Sequence, residues 1–355
     1  MRHLIDTNRS SLEAWLTERR LPAYRARQVR RWIFEDRAGN FDDMSDLPKP
    51  LRTALAEDFT LWSTKTVHRH SVADGTEKLI LETADGHRIE CVLIREDERR
   101  TLCVSTQVGC AMGCVFCASG IGGVIRNLTT GEILEQMLLV ERLLPKTERL
   151  NHIVVMGMGE PLANLDRLLP ALAEASSPQG LGIGARKITI STVGLPGGID
   201  RLAEQNIPYH LAVSLHAPDD MLRNELVPTS KRIKLSEILE AADRFYAATS
   251  RRVTFEYVLL AGINDKAEQA ARLAKLLDGR PVLVNLIPYN PVDGLPYRTP
   301  TDDALGRFVG TLEKAGVQVQ VRKRKGDKIS AACGQLRRIR PEGDSPRETF
   351  ALERS

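Results

Sequence analysis

The chain has 355 residues, room for one large α/β domain plus a small appendage. Its 42% hydrophobic and 27% charged content is ordinary for a globular fold, and no apolar run approaches the roughly 20 residues of a membrane span. A net charge of +4, with a pI near 8.7, is too mild to define a polyanion binder by its sum, so the placement of charge matters more.

Residues 1–60 predict a small helical module. Met1 to Asp6 holds no apolar signal core, so the expectation is a cytoplasmic protein with no membrane association. Ser10-Ser11-Leu12-Glu13 can cap a helix whose apolar face is Leu12, Trp15 and Leu16, and Pro22 breaks it. Tyr24 to Phe34 predicts a second amphipathic helix, and residues 50–57 a third. Between positions 19 and 31 stand six arginines, Arg19, Arg20, Arg25, Arg27, Arg30 and Arg31, and no acid. Such a set is often a solvated face, but it also suits contact with RNA phosphates.

Residues 61–100 change to strand character. Lys78–Thr83 and Arg88–Ile94 flank Asp85-Gly86, a hairpin turn signal. Glu90 shares a face with Val92 and Ile94, and by pattern alone reads as part of a solvent-facing edge. Strand alternation turns Cys91 away from Glu90 and into the core.

Thr101 to Gln107 predicts a short strand that runs into Gly109–Gly120. That loop holds Cys110, Cys114 and Cys117 in a C-x3-C-x2-C spacing, three of the six cysteines of the chain. Clustered thiolates are soft ligands and point to metal rather than disulfide. A closed zinc site or a ferredoxin-type cluster wants four ligands. Three thiolates on a 4Fe–4S cubane leave one iron open to a substrate or cofactor. With the aromatic Phe116 before the last cysteine, the loop resembles the signature of the radical S-adenosylmethionine (SAM) superfamily. The bland alternative is a zinc knob completed by a distant histidine.

Thr129-Thr130-Gly131-Glu132 opens a helix to about Leu144. From there the pattern alternates. Strands are expected at 152–156, 187–192, 209–214, 253–259, 282–287 and 317–321. Helices are expected near 164–176, 197–206, 236–248, 265–278 and 301–315. Such alternation means parallel strands with crossover helices, an α/β partial (β/α)6 barrel over 101–322. Functional groups should then lie at the C-terminal ends of the strands. Met156-Gly157-Met158-Gly159-Glu160-Pro161, Ser191 to Gly194, Ser214-Leu215-His216 and Pro288-Tyr289-Asn290 all fall there. Glu160 could accept a hydrogen bond from an ammonium group.

The final segment, 323–355, carries Cys333 in Ala331-Ala332-Cys333-Gly334. From 322 to 340 there are eight basic residues, among them Arg322, Lys323, Arg324, Lys325, Lys328, Arg337, Arg338 and Arg340, and one acid, Asp327. Positive charge around a thiol favours its nucleophilic form. Residues 341–355 are charged and read as disordered.

Taken together, C-V-S-T-Q-V-G-C-A-M-G-C-V-F-C-A-S-G, R-N-L-T-T-G-E-I, V-M-G-M-G-E-P-L-A-N, S-L-H-A and I-S-A-A-C-G-Q-L resemble the RlmN-type dual-specificity RNA methyltransferases, relatives of the Cfr resistance methyltransferases. The resemblance covers about residues 10–340, and R-N-L-T-T-G-E-I favours the RlmN branch. It implies a 4Fe–4S cluster on Cys110, Cys114 and Cys117, and SAM contacts at Gly159, Glu160, Ser191, Ser214, Leu215, His216 and Asn290. Two SAM molecules would be used per turnover. It implies methylation of carbon 2 of an adenosine in 23S ribosomal RNA and in certain transfer RNAs, and gives the N-terminal module an RNA-binding role. The expected electron donor is flavodoxin-type. No coiled-coil or interface pattern is visible, and the chain is expected to be a monomer.

By the same resemblance, Cys333 first takes a methyl group from one SAM. A 5′-deoxyadenosyl radical from the second then removes a hydrogen from that methyl, and the carbon radical adds to adenine. Glu90 would remove the ring proton, a role opposite to the pattern reading. Cys103 would attack the sulfur of Cys333, release the RNA and leave a disulfide to be reduced. Rival readings are Cfr-like methylation of carbon 8, a non-catalytic iron–sulfur RNA-binding protein, and a zinc-stabilised RNA binder.

Overall fold

The computed structural model describes residues 2–6, 9–322, 326 and 329–336. The basic positions Lys323–Lys325, Lys328, Arg337, Arg338 and Arg340, and the tail 341–355, lie outside the described residues.

The N-terminal module consists of β1 (Arg2–His3), α1 (Arg9–Glu18), α2 (Tyr24–Phe34), α3 (Lys49–Asp58) and β2 (Phe59–Thr60), with β1 parallel to β2. Its helices pack through Leu12, Trp15, Leu16, Val29, Ile33 and Leu55, all buried at the spacing that a helix face requires.

Four antiparallel strands follow: β3 (Lys65–Ser71), β4 (Thr76–Glu82), β5 (Arg88–Glu96) and β6 (Arg99–Cys103). Gly86, at φ 80, makes the tight β4–β5 turn possible. The expected strand 101–107 is broken. It ends at Cys103, and the chain resumes as β7 (Gln107–Gly109), which pairs with β8 (Val124–Asn127) to frame the cysteine loop. In the gap, the Ser105 backbone exchanges hydrogen bonds with the buried Gln136 side chain.

The remainder alternates as expected. It comprises α4 (Thr130–Leu143), β9 (His152–Val155), α5 (Leu165–Ser176), β10 (Ile188–Thr192), α6 (Pro196–Glu204), β11 (His210–Ser214), α7 (Asp220–Leu226), α8 (Leu235–Thr249), β12 (Val253–Leu259), α9 (Ala267–Leu277), β13 (Val282–Pro288), α10 (Asp302–Lys314) and β14 (Gln318–Val321). The strands form one sheet of ten, ordered β14-β13-β12-β11-β10-β9-β6-β5-β4-β3. It is parallel from β6 to β14 and antiparallel from β6 to β3. The strands of 61–100 thus prolong the barrel's own sheet. The sheet curls without closing, and Ile94 and Thr101 from one side share a cavity with Ile287 and Val321 from the other. Among the described residues, no helix is long and apolar enough to cross a membrane.

Candidate active site

The cysteine loop is shaped by glycine. Gly109, at φ 80, passes so near the returning strand that an added Cβ would lie 2.1 Å from the Gly123 carbonyl. Cys110 N–H donates to that carbonyl at 3.1 Å, and Val115 N–H to the carbonyl of Leu226 at 3.0 Å. Cys110, Cys114 and Cys117 line one cavity together with Gly159, Glu160, Ser191, Ser214, His216, Asn290 and Cys333. All but the loop residues and Cys333 stand at or just beyond the C-terminal ends of β9, β10, β11 and β13, where crossover geometry exposes such positions. Phe116, Leu226, Val227, Leu260 and Tyr289 form an apolar cluster behind Cys114 and Cys117, separate from the main core.

The rim residues are held in distinct ways. Glu160 is buried; its carboxylate accepts from Leu162 N–H at 3.0 Å and Val193 N–H at 2.9 Å. Burial pushes its pKa up, against those bonds and one from Thr192. Gly159 has φ 108, and a Cβ there would strike Gln107 at 2.7 Å. The buried His216 accepts from Val258 N–H through Nδ1 at 3.1 Å, which leaves the ring proton on Nε2. Burial, with Arg223 adding to it, pushes its pKa down to about 3, so the ring is neutral. Phe116 packs edge-on against it at 4.9 Å. Asn290 donates to the Cys333 carbonyl at 3.2 Å, while its buried Oδ1 has no hydrogen-bond partner among the described residues. Leu215 is not brought to the cavity: its side chain is in the core, and its backbone bonds Glu256 and Arg223.

Cys333 reaches the cavity on a strap formed by residues 329–336. Ala118 N–H donates to the Gly334 carbonyl at 2.7 Å, the Ser119 hydroxyl to the Leu336 carbonyl at 2.5 Å, and Gln335 to the Pro291 carbonyl at 2.8 Å. The strap is thus fastened to the cysteine loop itself. Burial pushes the Cys103 thiol up to about 12; Cys333 adds to this, while Arg322 and the Met156 backbone oppose it. Arg322 is held above its usual range, first by Cys333.

Glu90 does not face solvent. It is 1% exposed, in a strand flanked on both sides, and its Oε1 lies 3.2 Å from Lys78 Nζ. The central residues of the strand are buried on both faces, and on the Glu90 side Lys78 reaches the strap by donating to the Ser330 carbonyl. Cys91 is in the core, as expected.

Comparison with known proteins agrees with this geometry. Residues 104–274 match the model of the radical SAM superfamily, and residues 2–61 match that of the ribosomal RNA large subunit methyltransferase N-terminal domain. A protein of Rhodopirellula baltica named probable dual-specificity RNA methyltransferase RlmN is 58% identical, over 96% of this chain and 92% of its own length. One of the same name from Carboxydothermus hydrogenoformans is 44% identical, over 95% of this chain and 98% of its own length. The chain belongs to the RlmN family of dual-specificity RNA methyltransferases. The crystal structure of a radical SAM methyltransferase from Sphaerobacter thermophilus superposes with a TM-score of 0.92 at 44% identity, covering 95% of this chain and 99% of that one. The chain is accordingly a SAM-dependent RNA methyltransferase of the radical type, and the superfamily's 4Fe–4S cluster and SAM are its cofactors.

The residues fit that RlmN-family cofactor pair. Burial pushes Cys110 up to about 12 and raises Cys114 and Cys117 as well, so ionised thiols there need a cationic partner such as iron. Among the described residues, no three His, Cys, Asp or Glu side chains converge tightly enough to grip a single metal ion. A cubane asks for something looser, because each thiolate binds its own iron.

Other residues of this RlmN-family site escaped sequence reasoning. Arg223, 1% exposed on α7, donates to the carbonyls of Val193 at 2.5 Å, Leu215 at 3.2 Å and Ser214 at 3.4 Å, tying two rim loops together. Glu256, a lone acid in the strand T-F-E-Y-V, lines the cavity and is bridged by Asn285 at 3.0 and 3.1 Å. That isolation in an apolar strand was the available signal.

The arginine set of the module is less free than its sequence suggests. Arg19 pairs with Asp58 at 2.5 Å, Arg30 with Glu174 at 2.5 Å, and Arg31 with Asp36 and Asp46 at 2.9 and 2.8 Å. The missing acids come from elsewhere in the chain. Arg20 and Arg27 remain exposed and, among the described residues, without an acidic partner.

Proposed function

We propose that the enzyme methylates carbon 2 of one adenosine in 23S ribosomal RNA, and in certain transfer RNAs, through a methylated Cys333. The observation that carries this reading is the meeting of Cys333 with the three-cysteine loop in one cavity, close enough to Cys103 to help raise that thiol's pKa. A binding protein without turnover has no use for two further thiols beside three cluster ligands.

Cys110, Cys114 and Cys117 hold the cluster, and the rim formed by Gly159, Glu160, Ser191, Ser214, His216 and Asn290 receives SAM. When bound, the pair supplies a 5′-deoxyadenosyl radical. Neutral His216 can donate only through Nε2, and the open Asn290 Oδ1 accepts, so the rim offers SAM both kinds of partner. Cys333 would accept a methyl group at its sulfur by displacement and would hold it where the radical chemistry of the bound pair acts. Glu90 accepts the ring proton. Cys103 is protonated at rest; on losing its proton it would attack the Cys333 sulfur, forming a disulfide as the S–CH2 bond breaks and the freed carbon takes up a proton to become methyl, while the one electron left from radical addition would pass to the cluster that Cys110, Cys114 and Cys117 would hold. A flavodoxin-type donor provides electrons to a monomer in the cytoplasm.

The test is mass spectrometry of Cys333 in anaerobic holoenzyme given methyl-labelled SAM. A labelled methyl on Cys333 that passes to RNA on reduction supports the relay. RNA methylation with Cys333 never labelled overturns it, and mapping the methyl to carbon 8 would replace the carbon-2 assignment.

A further inference from the structure

The sheet face that carries Cys103 continues onto two strands outside the βα units. Cys103 lies in register with Val92, and Val92 with Lys78. Partners opposite one another in antiparallel strands share a face, so Lys78, Val92 and Cys103 form one row. Glu90, two residues before Val92, lies on the same side. Lys78 is 7% exposed, unusual for a lysine. Its Nζ is 3.2 Å from Glu90 Oε1 and also donates to the Ser330 carbonyl at 3.2 Å, across 252 residues of chain. Ser330 adopts φ 51, three positions before Cys333. Gly326 packs on the same face, where an added Cβ would lie 2.8 Å from Thr76 Cγ2. One ammonium thus joins the hairpin carboxylate to the strap that bears the methyl-accepting cysteine.

We propose that Lys78 is a positioning residue for the methyl relay: it keeps the Glu90 carboxylate charged and oriented, and sets it against the seated Cys333 strap. This rests on the reading that Glu90 takes the ring proton and Cys333 carries the methyl. A carboxylate this deeply buried takes up a proton unless a cation stands beside it, and a protonated Glu90 cannot accept another. The chemistry asks nothing more of Lys78. The proton leaves adenine carbon 2 for a Glu90 oxygen. Because Ser330 shares the ammonium, the base is fully aligned only when the strap is in place, which ties deprotonation to the presence of the methylene-bearing sulfur.

The experiment compares Lys78→Met, Lys78→Arg and Glu90→Gln as anaerobic, cluster-loaded enzymes with labelled SAM, substrate RNA and reductant. Lys78→Met should methylate Cys333 and cleave SAM at wild-type levels, yet release methylated RNA about tenfold to a hundredfold more slowly, part of what a general base contributes. A covalent RNA–protein adduct should accumulate, as in Glu90→Gln, and Lys78→Arg should recover most of the release rate. Wild-type release by Lys78→Met overturns the proposal. So does joint loss of Cys333 methylation, SAM cleavage and release in both lysine variants, which would mark a packing role. If Glu90→Gln traps an adduct and Lys78→Met does not, only the Lys78 assignment fails. If Glu90→Gln turns over normally, the base assignment itself fails.

Discussion

At the barrel rim the ionisable side chains are buried and tied to backbone groups, whereas on the N-terminal helices they lie in water and meet one another. Glu160, His216 and Arg223 spend their hydrogen bonds on the N–H groups and carbonyls of neighbouring loops. Arg19 and Arg31 are paired with acids across solvent-exposed surface. The first arrangement fixes geometry in a low-dielectric pocket, where each bond is expensive to break. The second is screened, and each pair contributes little. Buried contacts set what the rim can bind, while on the module only the unpaired charges are free for a polyanion.

The largest effect expected from this contrast is at the rim. Cys114→Ala should abolish RNA methylation and lower bound iron while leaving secondary structure intact, because Cys114 packs on the small apolar cluster rather than the main core. Iron assay, absorption spectroscopy and circular dichroism read all three. Full iron content with normal turnover would remove Cys114 from the ligand set.

Next is Arg223→Met, which keeps the volume but leaves the carbonyls of Val193, Ser214 and the buried Leu215 short of a donor. We expect a loss of about 3 kcal/mol in denaturant unfolding, together with weaker SAM binding. Unchanged SAM affinity in a destabilised protein would confine Arg223 to the fold.

These two residues also show what the sequence makes legible. Cys114 stands in a local motif whose spacing alone names its chemistry. Arg223 lies on a seven-residue helix, too short to show an apolar period, and its partners come from two separate loops. The parallel strands were visible because burial on both faces leaves near-continuous apolar runs. Strand β3, K-T-V-H-R-H-S, is almost wholly exposed at the sheet edge and carries no such pattern. Pattern alone sets Glu90 at a solvent-facing edge, whereas it is buried; its neighbour Lys78 bonds Ser330 from the far end of the chain, which no window around position 90 contains. Gly131 looked like part of a helix start. Its reason is the N-terminus, since a Cβ there would lie 2.2 Å from the ring of His3.

His3 supplies an intermediate effect at the seam between the two regions. Its Nε2 lies 2.6 Å from Glu135 on α4, and Asp6, beside it, accepts from Gly131 N–H. Burial opposes its charge, but hydrogen bonds to Asp6 and Glu135 outweigh this and raise its pKa from 6.5 to about 9. A raised pKa means that the charged form stabilises the fold. The contribution is complete below pH 6.5 and fades as pH rises through about 9. Wild-type Tm should therefore fall between pH 7 and 10 more steeply than that of His3→Gln, which starts lower. Parallel curves would show that the seam does not depend on this proton.

The smallest effect on stability belongs to the module's open charges. The double variant Arg20→Ala/Arg27→Ala removes no ion pair seen among the described residues, so unfolding should shift by less than about 0.5 kcal/mol. If these side chains meet phosphates, RNA affinity should fall and the slope of its logarithm against log salt should flatten by about one to two. Arg30→Ala, which breaks the pair with Glu174 on α5, should do the reverse: lower Tm with little change in the salt slope. The pair of variants separates two roles that composition merges. If Arg30→Ala flattened the slope while Arg20→Ala/Arg27→Ala left it alone, the ion-paired arginines would be the ones that exchange carboxylate for phosphate, and pairing would no longer mark a side chain as structural.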